Sequence, residues 1–155
     1  MSIRNDSAVL AGYRLQVSRV INAPCRLVYR AWTEPKQMVQ WFSPEDVKCH
    51  SVEAEVKVGG AYRIHMIASK GDCIAVGNYR EIVPDKRLQF TWNREDGGVT
   101  GTVVTVEFED LGKSTRLTLT HEGFENEEDR DDHNEGWSSA VEKFGGMMEQ
   151  HKIKE

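Results

Sequence analysis

Between residues 47 and 121 the sequence alternates apolar and polar side chains with a period of two, in segments separated by short turns. A period of two puts successive side chains on opposite faces of an extended chain, so each segment predicts a β-strand. The six predicted strands cover residues 47–56, 61–68, 74–83, 87–92, 99–109 and 115–121. Because a parallel crossover needs about a dozen residues or more, these short turns require antiparallel neighbours, and the segment predicts a curved antiparallel meander.

Before the meander the chain predicts one more strand and two short helices. Residues 13–21 alternate in the same way, whereas residues 1–12 are polar and irregular. Pro24 lies where a helix begins, because its fixed φ suits the first turn. Pro35 ends that helix, since proline lacks the amide hydrogen that the helix interior needs. A second short helix follows over residues 36–41.

The C-terminal part of the chain predicts one long amphipathic helix over residues 131–151. The residues of its apolar stripe recur at helical spacing: Trp137, Val141, Phe144, Met148 and His151. The acidic residues 123–132 before it predict mostly loop, with the last carboxylates near the positive end of the helix dipole.

Gly145 and Gly146 lie inside the helix at a cost of about 1 kcal/mol each relative to Ala. They either allow close contact with the sheet or kink the helix.

Composition predicts a single domain over residues 1–155, with its core at about residues 13–151. The 155 residues are 39% hydrophobic, which is enough to bury a core. The formal net charge of −5, without a cluster of Lys and Arg, disfavours nucleic acid as a partner, because phosphate binding needs positive charge. No apolar run approaches the ~18 residues of a membrane span, and no signal-peptide pattern is present. We therefore expect a cytoplasmic protein with no membrane partner.

No motif for a metal, a cofactor or nucleophilic catalysis is present in the sequence. Cys25, Cys49 and Cys73 lie far apart and form no C-x-x-C motif, which indicates reduced thiols. The histidines show neither H-x-x-x-H nor H-E-x-x-H spacing, and the chain has no G-x-S-x-G nucleophile pattern. We predict no metal, no cofactor and no catalytic residue, so that an enzyme is the less favoured class.

Alternation also predicts which strand side chains face the long helix. Four inward-facing sets follow: Leu117, Leu119 and His121; Val104, Val106 and Phe108; Leu88, Phe90 and Trp92; and Tyr62, Ile64 and Met66. For the last set the opposite face is an alternative, because it also carries an apolar side chain, Ile67. A lone inward histidine is more often a hydrogen-bonded core residue than a catalyst.

A bent sheet closed by one helix encloses more space than a few side chains easily fill, which favours a ligand cavity. The alternative is ordinary core packing, because aromatic side chains dominate the buried area of any domain. The cavity interpretation gives ten ligand-binding candidates: Trp41, Phe42, Tyr62, Met66, Trp92, His121, Phe124, Trp137, Val141 and Phe144.

Seven ordered motifs resemble one known family over nearly the whole chain. They are residues 21–24 (INAP), 28–35 (VYRAWTEP), 41–44 (WFSP), 58–62 (VGGAY), 77–88 (GNYREIVPDKRL), 115–124 (TRLTLTHEGF) and 133–137 (HNEGW). The sequence resembles the activator of heat-shock protein 90 ATPase homologue-like domains of the START/SRPBCC superfamily. The resemblance implies an α+β helix-grip fold, in which a curved seven-stranded antiparallel sheet surrounds a long C-terminal helix and two short helices follow strand one.

The resemblance implies three functions. The first is binding of a small hydrophobic or aromatic molecule in a cavity between sheet and helix, as for lipids, sterols, polyketides or aromatic compounds elsewhere in the superfamily. The second is a co-chaperone role in the stress response, in which the chain contacts and stimulates a heat-shock protein 90 type ATPase. The third is a cavity enzyme of the cyclase or hydrolase type, with His121 as its acid/base. We rank them in that order.

Overall fold

A computed structural model describes residues 11–155, which form one seven-stranded antiparallel sheet and three helices. The strands are β1 (Tyr13–Ile21), β2 (Lys48–Ala54), β3 (Ala61–Ala68), β4 (Gly71–Val83), β5 (Arg87–Arg94), β6 (Thr102–Asp110) and β7 (Thr115–Phe124). Their order across the sheet is β1-β7-β6-β5-β4-β3-β2, so the first strand adds to the end of the meander. The predicted α+β helix-grip fold is confirmed. Residues 1–10, most of the predicted irregular lead-in, lie outside the described residues.

The meander prediction is confirmed, and its errors are confined to strand ends. The predicted strand 99–109 begins only at Thr102, because Arg94 donates its amide to the Val99 carbonyl and closes a loop. Gly101 in that loop has a φ of +73°, a conformation that favours glycine. Conversely, β4 begins at Gly71, three residues earlier than predicted.

The two short helices lie beside the prolines as predicted, although Pro24 precedes the first turn of its helix and does not lie within it. Helix α1 covers Cys25–Thr33 with Pro24 as its N-cap, and α2 covers Pro35–Trp41 with Pro35 in its first turn. The indole Nε1–H of Trp41 donates to the Ala31 carbonyl at 3.0 Å. This bond ties α2 to α1 beneath the long helix.

The long helix α3 covers Glu127–Glu149, so the prediction that residues 123–132 are mostly loop was wrong. Asn126 caps the helix, because its side-chain oxygen accepts the Asp129 amide at 2.8 Å. Acidic side chains in the first turn then lie at the positive end of the helix dipole. His151 lies beyond the helix, exposed and with a φ of +55°, so its assignment to the apolar stripe was also wrong.

Helix α3 continues through Gly145 and Gly146 to its end, and the alternative of close contact with the sheet is the correct one. A Cβ on Gly145 would overlap the guanidinium of Arg19 from β1, whereas a Cβ on Gly146 would meet open space. Glu142 and Glu149 hold the Arg19 guanidinium in place at 3.1 and 3.5 Å. Within residues 11–155, none of the three helices has the length and apolar character that crossing a membrane requires.

Candidate functional site

A pocket of about 210 Å³ lies between the first half of α3, the loop after α2, and strands β3 to β5. Each of these elements contributes largely apolar side chains to its wall, among them Pro44, Val47, Met66, Cys73, Gly136 and Ala140. Asp132 is exposed and belongs to the same wall, so the pocket meets solvent beside the start of α3.

The indole of Trp92 forms one side of the pocket and is oriented by His133. Its Nε1–H donates to His133 Nε2 at 3.3 Å. His133 Nδ1 lies 2.8 Å from the Asp129 carbonyl, which can only accept, so Nδ1 carries the proton. The imidazole is therefore neutral in this arrangement, and burial lowers the pKa of His133 in the same direction.

The indole of Trp137 forms a second side and is oriented by His121 in the same way. Its Nε1–H donates to His121 Nδ1 at 3.0 Å. His121 Nε2 then donates to the Thr102 hydroxyl at 2.8 Å, and that hydroxyl donates to the Trp92 carbonyl. The chain of donors therefore links both pocket tryptophans through one neutral histidine.

His121 is fully buried, as its position on β7 predicts. Burial lowers the pKa of His121 well below its usual range, and the neighbouring His133 contributes in the same direction. Both ring nitrogens already have partners, and the side chain does not line the pocket. The geometry thus gives His121 the role of orienting Trp137, with no free nitrogen for acid/base chemistry.

The outer wall of the pocket, residues 43–47, is fastened to α3 by polar contacts. Lys143 Nζ donates to the Ser43 hydroxyl at 3.0 Å and to the Pro44 carbonyl at 3.3 Å. Ser139 Oγ accepts the Glu45 amide at 2.8 Å. Burial lowers the pKa of Lys143, and the nearby Glu45 carboxylate partly offsets this. These contacts fix the position of the loop relative to α3.

The ten candidates from the sequence divide into three groups. Phe42, Met66, Trp92 and Trp137 line the pocket. Tyr62 lines a separate void of about 10 Å³. The other five line neither space: Trp41, His121, Phe124, Val141 and Phe144. They pack into the core, where the Trp41 and Phe144 ring centroids are 4.5 Å apart. Side chains thus fill most of the interior that the architectural argument left open.

Several pocket residues were not among the sequence candidates. Gly136 and Ala140 are four residues apart and border the pocket on both sides of Trp137. Two small residues at helical spacing beside a tryptophan could have indicated this pocket wall in the sequence, because small side chains on the same helix face leave space next to the aromatic ring. His133 entered the sequence analysis only as part of the motif of residues 133–137. Within residues 11–155, no three side chains of the His, Cys, Asp and Glu types form a group that could hold a metal ion.

The model of the family described as "Activator of Hsp90 ATPase homolog 1-like protein" matches residues 22–149. The chain belongs to this family. The family that the sequence resembles is therefore confirmed, and the fold agrees with the START/SRPBCC superfamily.

Solved structures of related proteins have the same fold. A protein of Chromobacterium violaceum is 28% identical, with a TM-score of 0.80 over 88% of this chain and 96% of its own. A protein of Nitrosomonas europaea is 23% identical, with a TM-score of 0.75 over 91% and 97% of the two chains. For CalU16 of Micromonospora echinospora the identity is 22% and the TM-score 0.67, over 90% and 80%. No protein with curated information matches the chain.

Proposed function

We propose that this family member binds a small, flat, apolar molecule of one or two aromatic rings in the pocket beside Trp92 and Trp137. The volume of about 210 Å³ sets the size. A dry apolar cavity of about 150 Å³ is known to hold benzene. Pockets for drug-sized ligands begin near about 300 Å³, so that two fused rings approach the upper limit here.

The chemistry of the wall carries the proposal. His133 accepts the indole N–H of Trp92, and His121 accepts the indole N–H of Trp137. The tryptophans therefore offer a ligand their ring surfaces rather than N–H groups. The two ring centroids lie 5.2 Å apart and their planes are inclined by 56°. Such an arrangement favours a planar aromatic guest that can stack on one ring and meet the edge of the other.

Titration with naphthalene tests the proposal, because the pocket tryptophans report directly on ligand contact. We expect a saturable change in tryptophan fluorescence and saturable shifts of the indole N–H resonances of Trp92 and Trp137. The Ala140→Leu variant adds three carbon atoms inside the pocket and should weaken naphthalene binding at least about tenfold, or ~1.4 kcal/mol.

Ser138→Leu is the matched control, since it adds the same side chain on the exposed face of α3. Its affinity for naphthalene should equal that of the unchanged protein. Full affinity in the Ala140→Leu variant, or no saturable response in the unchanged protein, would overturn the proposal.

The co-chaperone role stays a prediction and is supported by the family description alone. Pull-down with a heat-shock protein 90 homologue, followed by an ATPase assay, tests it, and absence of binding at micromolar concentration would contradict it. The cytoplasmic location is likewise a prediction. A cavity enzyme with His121 as acid/base has the least support, because both nitrogens of that ring are engaged.

A further inference from the structure

The four tryptophans differ in how their indole N–H groups are satisfied. Trp41, Trp92 and Trp137 each donate to a carbonyl or an imidazole within 3.3 Å. Trp32 is 1% exposed, and its Nε1–H has no hydrogen-bond acceptor among residues 11–155. A buried donor without a partner is costly and uncommon in native proteins, so this one calls for an explanation.

The surroundings of Trp32 offer aromatic rings rather than polar acceptors. Its ring centroid lies 4.6 Å from that of Trp41, 5.8 Å from Phe42 and 5.9 Å from Phe144. Ring faces accept N–H groups only weakly. The protein therefore leaves an available donor in its apolar interior.

Trp32 also lines the void of about 10 Å³, together with Tyr62, Tyr79 and Phe90. This volume is close to the minimum that holds one water molecule, so the void is too small for a ligand by itself. Phe42 is the residue that lines both this void and the ligand pocket. Its ring stacks on Trp92 at 6.3 Å, and it lies directly after the last residue of α2. Phe42 is therefore the side chain that stands between the two spaces.

We infer that Trp32 Nε1–H is the specificity-determining donor of this site, and that it binds a hydrogen-bond acceptor on an aromatic ligand that displaces the Phe42 ring. The inference rests on the proposed function and narrows the ligand class. The preferred ligands are small fused-ring aromatic molecules with one acceptor atom, such as a ring nitrogen or a carbonyl oxygen, at the end that enters first. The opposite end stays in the pocket beside Trp92 and Trp137.

Quinoline and naphthalene form a matched pair of probes, because they have nearly the same shape and only quinoline has a ring nitrogen. In the ¹⁵N-labelled protein, with indole resonances assigned by triple-resonance experiments, quinoline should move the Trp32 Nε1–H resonance downfield in a saturable way. Naphthalene should shift Trp92 and Trp137 without this downfield change. Quinoline should bind roughly threefold to tenfold more tightly, as expected for one net hydrogen bond.

The Trp32→Phe variant removes the donor and keeps an aromatic ring. The ratio of quinoline to naphthalene affinity should fall to about one in this variant, and the ratio cancels the packing change that both probes share. If the variant does not fold, the Trp32 resonance of the unchanged protein still decides the matter.

The outcomes separate the two proposals. If neither probe perturbs Trp92 or Trp137, the proposed function fails. If both probes bind with equal affinity and quinoline leaves the Trp32 resonance in place, the pocket binds aromatic molecules and the inference about Trp32 is overturned.

Discussion

The two halves of α3 use small residues with opposite results. In the first half, Gly136 and Ala140 border the pocket, and a Cβ on Gly136 would lie at an ordinary distance of 3.6 Å from Pro44 Cγ. In the second half, the guanidinium of Arg19 occupies the space in front of Gly145. A small residue on a helix therefore makes a pocket only where the facing element does not fill the gap.

The facing elements explain this difference. Gly136 faces the loop after α2, whose position is fixed by Lys143 and Ser139. The pocket lies between this fixed loop and the helix. Gly145 faces the regular strand β1, which sends a long side chain into the gap and anchors it with Glu142 and Glu149. The first half of α3 thus keeps a cavity and the second half makes a close-packed contact.

The largest expected effect comes from a cavity in the close-packed half. Phe144 is fully buried and contacts the rings of Trp32 and Trp41. Phe144→Ala should lower the free energy of unfolding by about 3–5 kcal/mol, since the surrounding rings cannot collapse fully into the space. Urea unfolding measures this value. Met148→Ala, at a half-buried position on the same helix, is the control and should cost less. Equal losses would contradict the close packing around Phe144.

Acid should lower the free energy of unfolding, because the walls of the pocket depend on two neutral histidines, His121 and His133. Burial holds the pKa of His121 and of His133 below the unfolded value of about 6.5. As the pH falls, the unfolded chain therefore takes up protons first. The stability that the two neutral rings contribute is fully present above about pH 6.5 and is lost below it, by up to ~1.4 kcal/mol per pH unit for each.

Urea unfolding between about pH 7.5 and pH 5.5 tests this expectation, a range in which unperturbed carboxylates stay ionised. The groups around His133 are Asp129, Asp132, Arg94 and His121, whose ring centroid lies 5.3 Å away. His133→Gln has no titrating ring and should lose its share of the pH dependence. A free energy of unfolding that stays constant over this range would show that the histidines are not held neutral by the fold.

Three Gly→Ala variants on α3 give the smallest effects and the sharpest comparison. Gly146→Ala faces open space and should gain about 1 kcal/mol of stability from helix propensity alone. Gly136→Ala has room for its methyl group and should gain a similar amount, while it narrows the pocket and weakens naphthalene binding. Gly145→Ala displaces Arg19 and should gain nothing or lose stability. Thermal unfolding of the three proteins checks the order, and equal gains for Gly145 and Gly146 would contradict it.

The sheet was predictable because side-chain alternation and short turns leave antiparallel neighbours as the only pairing. The inward side of β7 and of β3 followed from the same alternation, and His121 and Tyr62 are buried accordingly. The start of α3 was missed because acidic residues suggested a solvated loop. The Asn126 cap and the helix dipole instead make those acids part of the first turn.

The site was predictable only in part. Phe42, Met66, Trp92 and Trp137 were among the candidates and line the pocket. Spacing along one element gives the face on which a side chain lies, and it gives no distance to a side chain on another element. The pairing of Trp92 with His133 joins residues 41 positions apart and could be seen only in the folded chain.

By itself, the sequence determined the fold, the antiparallel order of the meander and the family, because these depend on local periodicity, turn length and ordered motifs. The tertiary structure decided which small residue became a pocket wall and which met an arginine. It also decided that two histidines are neutral acceptors and that one tryptophan keeps an unpaired donor. The physical reason is that cavities and hydrogen bonds depend on gaps of a few tenths of an ångström between elements distant in sequence, which periodicity does not specify.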